Sequence, residues 1–151
     1  MLLIITLQAC SRASVLDHNW ICQISRPESE KCQSILVIKQ GELLLNHDGT
    51  FKLDAFFEAC YEKVKVMASG ITQTHIALSH IVEIELTAET IQQDSSHKKG
   101  KRENHPRTIG FVNLERQSGR GSYSDVWEAI RMKGLYQQPI TRRALQCKPV
   151  E

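Results

Sequence analysis

Four groups of residues in this chain have types that can do chemistry. The first is a basic segment, Lys98-Lys99-Gly100-Lys101-Arg102, followed by Arg107. Closely spaced cations on a polar stretch neutralise phosphates and release counterions, and the same pattern is read by nuclear-import receptors. The second is Arg116, Gly119, Arg120, Gly121 and Ser122, placed between an expected strand and an expected helix start. Free N–H groups at a helix N-terminus attract anions, and an arginine fork fits phosphate. The segment lacks the spacing of a nucleotide-binding P-loop, so no nucleotide hydrolysis is expected.

The third group is His80 with Glu83 and Glu85. His80 falls in an apolar strand pattern, where a buried histidine with a satisfied hydrogen bond is the ordinary reading. Glu83 and Glu85, two apart on a strand, share a face and as a carboxylate pair have the chemistry to bind a metal or shuttle protons. The ordinary reading is that they face cross-strand basic residues near Arg107 or water. The fourth is Cys10, His18, Cys22 and Cys32. Their spacing matches no closed zinc module, so no metal site is expected. There is no nucleophile elbow and no cysteine with a histidine placed beside it by a motif. No catalytic residue and no cofactor is therefore assigned. The anion or nucleic-acid candidates are Lys98, Lys99, Lys101, Arg102, Arg107, Arg116, Arg120 and Ser122.

These residues need a scaffold, and the composition permits one. The chain has 151 residues, 41% hydrophobic and 24% charged, which suits one globular domain with a real core. A net charge of +2 is too small for binding over the whole surface, so any basic footprint must be local. With aromatics at only 6%, stacking on exposed bases has few candidates, and backbone contact is the feasible mode of nucleic-acid binding. Five cysteines, an odd number without CxxC spacing, read as free thiols of a reducing, intracellular compartment, cytoplasmic or nuclear.

The run Met1–Cys10 ends in a Leu-x-Ala-Cys pattern. It is short and has no preceding positive charge, so it reads as a first strand rather than a leader. No apolar run is long enough for a membrane span. Trp20, Cys22 and Ile24 alternate as a strand. Ser34–Lys39 and Glu42–Leu45 read as a hairpin turning at Gln40-Gly41. Phe51–Ala68 reads as a helix, because Leu53, Phe56, Phe57, Cys60, Val64 and Met67 recur at helical spacing. Next come a strand over His75–Leu86, with Ile76, Leu78, His80, Val82, Ile84 and Leu86 inward, and a return strand over Thr108–Leu114. A second helix starts at Ser124, buries Val126, Trp127 and Ile130, and stops at Gly134.

The expected fold is therefore α+β: a mainly antiparallel sheet with two helices packed on one face, in the order strands–helix–strands–helix. Residues 1–138 form the single domain, with a long basic hairpin loop over 92–107, and residues 139–151 form a C-terminal tail. The expected function is that of a non-enzymatic interaction domain, an adaptor or small regulatory subunit with a protein partner. A nucleic-acid-binding module using the 97–107 and 116–122 loops is the alternative. An enzyme with dispersed residues is the second alternative. The apolar first strand would allow a homodimer.

Overall fold

The computed structural model describes residues 16–27, 29–32, 34, 36–95, 101–126 and 141–150. These form nine strands: β1 (Asn19–Ser25), β2 (Val37–Leu45), β3 (Thr50–Ala59), β4 (Glu62–Ala77), β5 (Ile81–Ser95), β6 (Lys101–Glu103), β7 (Arg107–Glu115), β8 (Arg120–Asp125) and β9 (Thr141–Val150). Every pairing is antiparallel. The sheet runs β4-β3-β2-β1-β9-β8-β7-β5, and β4 also pairs with β5, so eight strands close into an up-and-down barrel. β6 adds a short flap to the far half of β5.

The α+β expectation is thus corrected, since the described residues contain no helix. The stretch read as a first helix is β3, a turn at Cys60-Tyr61, and the start of β4. Its apolar residues satisfy two periods at once. Phe51, Leu53, Ala55, Phe57 and Ala59, then Val64, Val66 and Ala68, all point inward at period two. The helical reading would also bury Phe56 and Met67, yet these are 44% and 47% exposed. Tertiary pairing decides between the periods, because each strand finds a partner on both edges. The second expected helix begins inside β8 at Ser124, and its remainder from Trp127 lies outside the described residues.

Other local expectations shift for similar reasons. Gln40-Gly41 is not a turn but the middle of β2. A Cβ on Gly41 would lie 2.6 Å from the Ala55 Cβ, so glycine lets β2 and β3 approach. The strand expected over His75–Leu86 contains a turn at 78–80. Val82, Ile84 and Leu86 do point inward, whereas Ile76, Leu78 and His80 are exposed. The stretch expected as a tail supplies β9, the strand that closes the barrel between β1 and β8. The return strand is present as β7. The Leu2–Leu7 strand lies outside the described residues.

An eight-stranded barrel is just wide enough for side chains to fill it. Here Phe51, Phe57, Leu43, Ile84, Leu86, Leu114 and Tyr123 do so, each at most 1% exposed. The outer face carries Glu42, Lys52, Asp54, Lys63 and Lys65 among exposed apolar residues such as Phe56 and Met67. No helix among the described residues is long and apolar enough to cross a membrane.

Two disulfides staple the barrel and correct the free-thiol reading of its cysteines. Cys22 and Cys147 face each other across β1 and β9 and are bonded, with Cα atoms 3.9 Å apart. Cys32, between β1 and β2, is bonded to Cys60 in the β3–β4 turn.

Candidate functional site

Counted back from the inward Leu45, Leu43 and Gly41, strand alternation turns Lys39 inward, and a register irregularity between Ile38 and Gln40 buries the neighbouring Ile38 as well. On β9, Arg143 points inward by ordinary alternation with Leu145 and Cys147. Both cations meet one carboxylate. Arg143 Nη1 and Nη2 lie 2.6 and 2.7 Å from the two oxygens of Glu30, and Lys39 Nζ lies 3.2 Å away. The side chains of Lys39 and Arg143 are each 4% exposed.

The backbone completes this cluster. Arg143 Nε donates to the Ile38 carbonyl at 2.7 Å, and the Ile38 N–H donates to Asp125 Oδ2 at 3.2 Å. Burial pushes the Glu30 carboxyl up, but the hydrogen bonds and charges of Arg143 and Lys39 outweigh it and hold the carboxyl below its usual range. Tyr123, two residues before Asp125 on β8, is held well above the ordinary tyrosine range by burial and by the Asp125 carboxylate. Its ring passes over Gly110, where a Cβ would come within 2.5 Å of the hydroxyl. The cluster is a charged plug at the barrel end where β1 and β8 finish and β2 and β9 begin.

Among the described residues, three grooves mark the outer face. One groove of about 780 Å³ is lined by Gln23, Arg26, Glu42, Asp54, Phe56 and Lys65. A second of about 450 Å³ is lined by Leu44, Lys52, Met67, Gln92 and Arg102 and again by Glu42 and Asp54, so the two join into one trough across β1–β6. The third, about 320 Å³, lies across β5, β7, β8 and β9 and includes Glu83, Phe111, Asn113, Ser122 and Arg142.

The residues singled out from the sequence do not gather at one place. Lys98 and Lys99 lie outside the described residues, and Lys101 is placed by its backbone in β6. Arg102 is exposed on β6, bonds Asn104 at 3.3 Å and edges the trough. Arg107 starts β7 with Glu103 3.7 Å away. Arg116 in the β7–β8 turn and Arg120 at the start of β8 lie at the opposite end of β7, roughly 30 Å from Arg107 by strand rise. Ser122 lines the third groove.

His80 is exposed beside Ser79, and Glu85 is engaged by His75, Thr87 and Thr108. Glu83 and Glu85 therefore have separate surroundings rather than a shared substrate position.

Sequence reading passed over Glu30, Lys39, Asp125 and Arg143. The signal in the sequence is a charge at an inward position of an alternating run, as in Arg143-x-Leu145-x-Cys147, within the segment expected as a tail. No family model, curated protein or solved structure matches this chain, so its function is argued from geometry.

Proposed function

We propose that this protein is a non-enzymatic interaction module, a disulfide-closed barrel whose trough across β1–β6 receives a protein partner. One observation carries the reading. Of the seven exposed large apolar side chains among the described residues, six fall between Phe56 and Leu78, on β3, β4 and their turns. Phe56 and Met67 lie in the trough itself, and Arg26, Lys52, Lys65, Glu42 and Asp54 surround them. Apolar anchors within a rim of both charge signs have the anatomy of a protein interface. The two acids shared by the joined grooves disfavour a phosphate backbone, which places the nucleic-acid reading second. That reading keeps the support of Arg102 and its basic neighbours in sequence. The two disulfides favour an oxidising compartment over the reducing one expected from the cysteine count.

The test is capture of a stoichiometric partner by the wild-type protein and by two variants. Phe56→Glu with Met67→Glu should abolish capture. Arg116→Glu with Arg120→Glu, at the far end of β7, should preserve it. Undiminished capture by the Phe56/Met67 variant would overturn the proposal. So would a salt-sensitive gel shift with nucleic acid that Arg102→Ala removes, with no protein partner recovered.

A further inference from the structure

The β1–β2 connection is fastened twice. From inside, Glu30 grips Arg143 and Lys39; from outside, two residues further on, Cys32 is tied to Cys60. The two disulfides differ sharply in access. Cys22 and Cys147 are 0% and 3% exposed, whereas Cys32 and Cys60 both face solvent. Thiol–disulfide exchange requires a thiolate to reach sulfur, so a reductant meets the Cys32–Cys60 bridge first.

Lys39 and Arg143 are two buried cations that share one carboxylate, and that carboxylate arrives on a tethered connection rather than on a barrel strand. Arg143 Nη2 donates to Glu30 Oε1 and Nη1 forms an ion pair with Oε2, contacts that a guanidinium makes to any carboxylate. Asp125 accepts the Ile38 amide from β8, so it is part of the barrel wall, whereas Glu30 sits on the β1–β2 connection.

We propose that Lys39 and Arg143 form a carboxylate-binding site that Glu30 occupies in cis, and that Cys32–Cys60 is the redox latch holding Glu30 in place. A dithiol reductant opens the latch. The Cys32–Cys60 bond breaks, the dithiol closes to its own disulfide as it gives up two electrons, and its two protons end on the Cys32 and Cys60 thiols. Glu30 is then no longer covalently tied close to the two cations, and an external carboxylate competes with it for them. This site is separate from the outer trough, so its fate does not decide the interaction reading.

The experiment has three measurements on the full chain. With dithiothreitol and timed alkylation, mass spectrometry should show Cys32 and Cys60 modified at least about tenfold faster than Cys22 and Cys147. In Cys32→Ser with Cys60→Ser, amide exchange at Glu30 and Ile38 should accelerate about tenfold or more. Citrate, used as the carboxylate probe, should bind this latch-free variant. It should bind neither the oxidised wild type nor the latch-free variant that also carries Arg143→Gln.

Equal reaction of the two bridges would overturn the proposal. Unchanged exchange at Glu30 and Ile38 in the latch-free variant, or equal citrate binding to the oxidised wild type, would do the same. If the double serine variant fails to fold, wild-type protein reduced only at Cys32–Cys60 carries the same exchange and citrate measurements.

Discussion

The bridge between Cys22 and Cys147 joins the first and last barrel strands across a sequence separation of 125, whereas Cys32–Cys60 spans 28. In the chain-entropy model, the first restrains the unfolded chain by about 5 kcal/mol and the second by about 3.5 kcal/mol. The constant part of that model cancels in the difference, which leaves about 1.3 kcal/mol in favour of the barrel-closing bridge. Cutting either bridge by mutation alone would confuse this with packing, because Cys22 and Cys147 are interior side chains. The clean design uses Cys32→Ala with Cys60→Ala, which retains only the long bridge, and Cys22→Ala with Cys147→Ala, which retains only the short one. Each is unfolded in urea when oxidised and when fully reduced. The oxidised-minus-reduced stability of each variant reports its remaining bridge, since the substituted side chains are common to both states. The long bridge should be worth more. A short bridge worth as much as or more than the long one would refute the argument that strand closure carries the larger entropic term.

Glu30 makes stability depend on acid. Its folded-state carboxyl titrates below its ordinary value of 4.5, so its contribution is complete above that pH and is lost as pH falls through the lowered value. Glu30→Gln should therefore flatten the acid limb of a stability–pH curve, and an unchanged limb would remove Glu30 from that role. Tyr123 works at the other end of the scale. Its folded-state hydroxyl titrates above 10, so its contribution is complete below pH 10 and is lost as pH rises past it. The hydroxyl has no hydrogen-bond partner among the described residues. Tyr123→Phe should then change stability at neutral pH by no more than about 1 kcal/mol and abolish the alkaline loss, both readable by denaturant titration at pH 7 and above pH 10.

The strands whose apolar residues alternate without ambiguity were legible in the sequence. Trp20-x-Cys22-x-Ile24 and Val82-x-Ile84-x-Leu86 point inward as that alternation requires, and β7 lies where the return strand was expected. Phe51–Ala68 was not legible, because Leu53, Phe57 and Val64 satisfy periods of 3.6 and 2 together. Only the burial of Ala55, Ala59 and Val66, with Phe56 exposed, separates the two. The charged plug was hidden for a different reason. Its members are separated by up to 113 positions, and the carboxylate that lets Lys39 sit at an inward position reaches it only in the folded chain.

By itself, the sequence determined a globular chain with a substantial apolar core, one antiparallel strand pair late in the chain and no recognisable catalytic motif. Those properties follow from composition and from side-chain alternation within a few neighbouring residues. The tertiary structure alone decided that the strands close into a barrel, that Thr141–Val150 is its closing strand, and that Cys22 meets Cys147 while Glu30 meets Arg143. The physical reason is that a strand is stable only when its backbone hydrogen bonds find partners on both edges or in water. For β1, β9 and β4 those partners include strands distant in sequence or segments whose local pattern also permits another conformation.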